Sequence, residues 1–296
     1  MKYIETIVFP DQSLIQAYMD NNAICYPWNI FSKNQFQWMI CKDITILYGN
    51  NGSGKSTILN LIASKIKAQR NSELFNDILY IDGRQLNPFD DLVNETKLKL
   101  NIDENEHEIV LPSNRKIITS NDLFKRIEER TKRNNRILVE IKDAIEKQKD
   151  LVNKGYKYKT MADYDDLVSL IEARKLSLRK YLEVHASTKQ QMQSNGETVI
   201  DIYSKAFETG GIYLLDEPEN CLSPIFQIEL IKIIQDSVRY FDCQFIICTH
   251  SPLLLSLKNA IIYDLDNRPV IDKEWSDLEN VKIYYDFFKR HKENFE

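Results

Sequence analysis

Apolar residues in this chain gather into short unbroken runs: Asp43-Ile44-Thr45-Ile46-Leu47-Tyr48, Ile212–Leu215, Gln244–Cys248 and Ala260–Asp264. Runs of this length without polar alternation predict strands buried on both faces, the pattern of a sheet with helices packed on each side. Ser56 to Ala68 (STILNLIASKIKA) changes period and places Ile58, Leu59, Leu61, Ile62 and Ile66 on one side, which predicts a helix. A further helix is expected over Thr198–Phe207, and weaker strand patterns lie at Asp77–Ile81, Glu108–Leu111 and Lys116–Thr119.

Between the two strand-rich ends lies a charged, glycine-poor stretch. Leu123, Ile127, Leu138, Ile141, Ile145 and Val152 recur on three-, four- and seven-residue steps, with Thr131 and Asn134 interrupting the stripe. Asn153 to Met161, with Gly155, breaks the pattern. Tyr164, Leu167, Ile171, Leu178 and Tyr181 then mark a second helix, so an αα-hairpin is expected. The expected organisation is one interrupted domain: 1–120 as a first α/β half, beginning β-rich, 121–192 as an inserted helical hairpin, and 193–296 as a second α/β half.

Charge follows the same division. The chain of 296 residues carries a net charge of −5, yet residues 121–192 hold 17 Lys/Arg against 12 Asp/Glu, leaving 22 against 32 elsewhere. That asymmetry permits an anionic partner for the hairpin, and a solvated helical face is the blander and favoured reading. The five cysteines (Cys25, Cys41, Cys221, Cys243, Cys248) are odd in number and form no C-x-x-C pair, so reduced thiols are expected and not a disulfide frame or a zinc site. MKYIETIVFPDQ has no apolar core of the kind a signal peptide needs, and no long apolar run appears. A cytoplasmic protein without a membrane segment is the expectation.

The chemistry is concentrated where the apolar runs end. Gly49-Asn50-Asn51-Gly52-Ser53-Gly54-Lys55-Ser56 fits G-x-x-x-x-G-K-S and stands between a predicted strand and a predicted helix. There the glycines let the backbone wrap around phosphates, and the amides and the helix start face anionic oxygens. Lys55 is expected to reach the β- and γ-phosphates and the Ser56 hydroxyl to ligate Mg²⁺, with Thr57 next in the nucleotide-binding set. Ile212-Tyr213-Leu214-Leu215-Asp216-Glu217 ends an apolar strand in two acids. Asp216 is suited to hold Mg²⁺, and Glu217 to orient or deprotonate an attacking water. Thr249-His250-Ser251-Pro252 follows Phe245-Ile246-Ile247-Cys248, so His250 is expected at the same sheet edge as the phosphates. Ser194-Asn195-Gly196-Glu197 precedes the Thr198 helix and suits an anion or, equally, an N-cap with an acidic first turn.

The ordered set GNNGSGKS, SNGE, IYLLDEPENCLSP and IICTHSP resembles the ATP-binding-cassette ATPases. Within them it is most similar to SMC and DNA-repair heads and to small stand-alone bacterial ATPases of the AAA family (ABC class), which also share the CYPWNIF start and the IIYDLD…LENVKIYYDFFKRHKENF ending. The resemblance implies a P-loop fold of the ABC type, a mixed sheet with flanking helices, and hydrolysis of ATP with Mg²⁺. It implies Gly49 to Ser56 as phosphate loop, Asp216 as magnesium aspartate, Glu217 as catalytic base and His250 as switch histidine. Ser194 to Glu197 would be the signature segment and Asn220 to Ser223 the loop after the base. It also implies a head-to-tail homodimer in which Ser194 and Gly196 of one subunit complete the other's nucleotide site.

This chain has Gln193-Ser194-Asn195-Gly196-Glu197 where the family has L-S-G-G-Q. Gln85 and the Ser120-Asn121-Asp122 run are the candidates for the family's Q-loop, and Tyr26 or Trp28 for an aromatic on adenine. The leading expectation is an ATPase whose dimer closes on ATP and acts on DNA or a companion effector protein. Two other classes fit the same motifs: the ATP-binding subunit of a membrane transporter, and a slow nucleotide-gated switch.

Overall fold

The computed structural model describes residues 3–21, 26–70, 79–81, 84–103, 106–153, 164–185 and 194–295. The chain divides into two compact units, Met1–Phe124 with Asn195–Glu296, and Lys125–Ser194.

The first unit opens with β1 (Ile4–Val8), α1 (Gln12–Asn21), α2 (Trp28–Asn34), β2 (Trp38–Ile40), β3 (Ile44–Tyr48) and α3 (Lys55–Lys65). It continues with β4 (Leu79–Ile81), β5 (Arg84–Leu86), α4 (Pro88–Glu95), β6 (Lys97–Leu100) and β7 (Arg115–Thr119), and the chain then enters α5 (Ser120–Asn153). The helices α6 (Tyr164–Lys175) and α7 (Leu178–His185) belong to the second unit. The first unit resumes with α8 (Asn195–Ala206), β8 (Ile212–Asp216), α9 (Pro224–Tyr240), β9 (Gln244–Cys248), α10 (Pro252–Leu255), β10 (Ile261–Asp264), β11 (Ile271–Asp272) and α11 (Glu279–Arg290).

The apolar runs form the main sheet, in the order β11-β10-β3-β9-β8-β7. Neighbours from β10 to β7 are parallel, and β11 adds an antiparallel edge, so the sheet is mixed. All residues of β3 and β9 are buried, as their lack of alternation requires. Ile58, Leu59, Leu61 and Ile62 of α3 are fully buried in the same core as Leu47, Leu214 and Ile246.

A smaller antiparallel sheet, β2-β1-β6, joins the main one through polar side chains. Gln244, fully buried at the start of β9, accepts from the Tyr3 and Ile4 amides and donates to the Ile4 and Lys42 carbonyls. The Tyr263 hydroxyl of β10 bonds both the amide and the carbonyl of Ile40 in β2.

Four expectations change. The β-rich start contains two helices: Trp28, Phe31 and Asn34 of α2 are buried at three-residue spacing, and α1 buries Ile15. Glu108–Leu111 forms no strand and contributes only the isolated Ile102–Glu108 bridge; Val110, 84% exposed, has no face to pack on. The P-loop helix stops at Lys65, because Lys67 turns left-handed (φ 53°) and the Ala68 amide reaches back to the Ala63 carbonyl, after which Gln69 bridges to Lys116 of β7. The second helix of the hairpin is two helices. In the second unit the Gln148 amide donates to the Ala173 and Leu176 carbonyls at the end of α6, and the Ser177 hydroxyl accepts from the Lys180 amide to start α7. The expected break at Asn153–Met161 falls from 154 onward outside the described residues, as does Cys25. None of the other four cysteines forms a disulfide.

Candidate functional site

The parallel strands bring their carboxyl ends to one edge. Thr119 of β7 is in register with Asp216 of β8, Asp216 with Cys248 of β9, and Leu47 of β3 with Cys248. Loops leaving such an edge form the crevice where open α/β sheets bind ligands.

The loop from Gly49 to Gly54 leaves β3 here. Gly54, the N-cap of α3, has φ 99°, and a Cβ on it would lie 2.5 Å from Ile30 Cγ2, so no other residue fits. No side chain caps α3, which leaves its first amides for a ligand. Lys55 is buried and curls over the loop, its Nζ 2.7 Å from the Gly49 carbonyl and 3.0 Å from that of Asn50. Asn34 pins the loop from one side, donating to the Ser53 carbonyl. Asp266 pins it from the other, both its oxygens accepting from the Asn50 amide at 3.0 and 2.8 Å. Asn51 to Thr57, Glu217, Asp266 and Arg268 face a cleft of about 660 Å³.

The Ser56 hydroxyl donates to Asp216 Oδ1 at 3.0 Å. Burial pushes the Asp216 carboxyl up to about 6; the Ser56 bond and Lys55 pull against burial, and Glu217 and Glu219 add to it. Glu217 adopts a left-handed backbone (φ 48°), strained for a residue with a Cβ, while its amide donates to the Cys248 carbonyl. Its Oε2 accepts from Asn220. His250 follows β9 with Nδ1 3.4 Å from Glu219 Oε1.

Residues 39–220 match the family model described as ABC transporter. The chain belongs to that family. It is an ATP hydrolase of the ABC class. Among solved structures it is similar to an Smc head domain with an extended coiled coil bound to the C-terminal domain of ScpA, from Pyrococcus furiosus (14% identity, 97% of this chain and 100% of that chain, TM-score 0.43). It is similar to an SMC head domain from Thermotoga maritima (11% identity, 93% and 100%, TM-score 0.36). It is also similar to a dimeric ATP-binding cassette in a post-hydrolysis state bound to ADP and Pi (14% identity, 81% and 90%, TM-score 0.33). No curated protein matches.

The cleft of this ABC ATPase fits Mg-ATP on its own features. Ser53 Oγ, on the loop, is buried without a hydrogen-bond partner among the described residues, and two oxygens of the kind Mg²⁺ prefers, Ser56 Oγ and Asp216 Oδ1, already meet. Ser194 and Gly196 do not line this cleft. Ser194 is exposed immediately before α8, and Gly196 is buried in the first turn of α8 beneath the Phe226 ring of α9. Gln193 lies outside the described residues.

Of the aromatic candidates, Trp28 is structural, stacked on Tyr18 at 4.0 Å with its indole N–H on the Pro88 carbonyl. Tyr26 is exposed, lines the cleft and shares a hydrogen bond with Thr57 Oγ1. Of the Q-loop candidates, Gln85 sits in β5, in the separate β4-β5 pair, whereas Ser120–Asp122 leaves β7 at the edge that carries Asp216. Asp122 is buried there, accepting from the Thr119 amide and hydroxyl.

Asp266, Asn34 and Glu219 are the additions to the expected set. Asp266 lies in the IIYDLD run and Glu219 in DEPEN, but their contacts join segments far apart in the chain.

Proposed function

We propose that this ATPase works as a head-to-tail homodimer that closes on two Mg-ATP, opens after hydrolysis, and acts in the cytoplasm on DNA or a companion effector protein. The observation that carries the catalytic part is the 3.0 Å contact of Ser56 with Asp216, Ser56 and Glu217 both lining the cleft. Residues 49–57 hold the phosphates, with Lys55 swinging from its carbonyl partners to the terminal ones. Ser56 and Asp216 hold Mg²⁺, which when bound neutralises charge on the β- and γ-oxygens. Glu217 accepts a proton from the attacking water, and His250 orients that water against the γ-phosphate. Ser194 and Gly196 come from the partner molecule. On this reading residues 121–192 form the arm that passes closure to the client, between halves 1–120 and 193–296. Among the described residues no helix is long and apolar enough to cross a membrane.

The test is the mass of the Glu217→Gln protein in solution with and without Mg-ATP, by light scattering. The substitution keeps the phosphate and magnesium contacts and removes the base, so ATP is expected to shift monomer to dimer. A protein that stays monomeric in saturating ATP rules out a sandwich made by this chain alone.

A further inference from the structure

Glu219 is a carboxylate only 7% exposed, and among the described residues it pairs with no Lys or Arg. Its Oε1 gathers the Thr249 hydroxyl at 2.7 Å, the His250 amide at 3.0 Å and the Ser251 amide at 3.2 Å. The His250 imidazole stands against the same oxygen, Nδ1 at 3.4 Å, while Oε2 is buried with no partner among the described residues. Burying a charge on neutral donors is costly, and an amide residue would offer the same donors an acceptor without that cost. Among the described residues, every partner of this charge comes from the three-residue segment that carries His250.

We propose that Glu219 is the positioning residue of His250. The carboxylate fixes the backbone of residues 249–251 and turns Nδ1 toward itself, which leaves Nε2, across the ring, as the nitrogen that meets phosphate or water. Because Glu219 follows Glu217 by two residues, the segment bearing the base and the segment bearing the histidine are locked together. The Glu217 amide bond to the Cys248 carbonyl ties them a second time. The two catalytic side chains therefore move as one unit. This inference rests on the reading of His250 given under Proposed function.

The test is steady-state ATP hydrolysis by Glu219→Gln, His250→Ala and the double variant, with the melting temperature of each. Glutamine offers the same acceptor oxygen to Thr249, His250 and Ser251 but sets an NH2 group where Oε2 is buried, so the melting temperature of Glu219→Gln is read beside its kcat. The expected result is a KM for ATP within about twofold of the parent and a kcat lower by about five- to tenfold. The double variant is expected to be no slower than His250→Ala, because the glutamate acts through the histidine. Additive losses in the double variant, or a Glu219→Gln enzyme with the parent kcat while His250→Ala is slow, overturn the inference. If His250→Ala itself keeps the parent kcat, the role of the histidine falls and this inference with it. A loss confined to KM and melting temperature makes Glu219 a purely structural residue.

Discussion

Ser56, at the start of α3, donates its hydroxyl to Asp216 at the end of β8, 160 residues further along the chain. The bond compensates only partly for burial, since the Asp216 carboxyl titrates at about 6 against an ordinary value of 3.8. Apo stability is therefore pH-dependent. A carboxyl with a raised folded-state value favours the fold most below about 4, and the advantage is lost as pH rises through about 6. Allowing for the partial exposure of Asp216, the ionised group costs on the order of 2 kcal/mol at neutral pH. Asp216→Asn is expected to raise the melting temperature of the nucleotide-free protein at pH 7 by several degrees, to change it little at pH 4, and to abolish magnesium-dependent hydrolysis. Calorimetry at the two pH values checks this; an equal shift at both would mean that the gain does not come from ionisation.

Asp266 holds the Asn50 amide with both carboxylate oxygens. It preorganises the phosphate loop and also places a negative charge in a cleft meant for an anion. The contact is exposed, so preorganisation is worth about 1 kcal/mol, or roughly a fivefold change in affinity. Asp266→Ala is expected to weaken ATP binding by that factor and leave kcat nearly unchanged. Titration calorimetry with Mg-ATP and Glu217→Gln as background measures it. Tighter binding would show that repulsion, not tethering, is the larger effect.

The phosphate loop and the strands β3, β8, β9 and β10 are legible in the sequence because their signals are local: unbroken apolar runs ending in Gly, Asp, His or Leu-Asp. Asp266 and Glu219 stand in the motifs that carry the family resemblance, yet their use depends on the Asn50 amide and on residues 249–251. Pairings across that many residues leave no periodic trace. The helices α1 and α2 escape the pattern because α1 buries a single residue fully and α2 spans barely two turns. The split between α6 and α7 escapes it because its cause, Gln148, sits on a different helix.

Gly196 bears two readings, a ligand-facing glycine and a packing glycine. A Cβ there would lie 2.3 Å from the Phe226 ring, so α8 and α9 touch through the missing side chain. Overpacking of this kind costs about 1–3 kcal/mol. Gly196→Ala is expected to lower the melting temperature by a few degrees, and Gly196→Ala with Phe226→Leu to recover part of the loss. Hydrolysis by the rescued double variant separates the readings: restored activity assigns the glycine to packing, and activity still lost in a restored fold assigns it to the nucleotide.

Lys132, Arg133 and Arg136 are exposed on α5, and Lys132 is paired with Glu128 at 2.7 Å, one turn away. Such a pair is worth only a few tenths of a kcal/mol, so it does not withhold the lysine from a phosphate. If the hairpin meets duplex DNA, removing one cation from a phosphate lowers the slope of log affinity against log salt by about 0.9. Replacing all three with glutamine is expected to cut the slope by roughly 2 to 3 and to weaken binding equally across unrelated sequences. Exposure of all three keeps the fold unaffected, so the melting temperature is expected to hold. Fluorescence anisotropy on a duplex at several salt concentrations gives the slope directly. An unchanged slope in a protein that still binds DNA would put the DNA-binding surface elsewhere. Absence of binding by the parent protein would leave these charges as the solvated face of a helix and turn the search for a client to proteins.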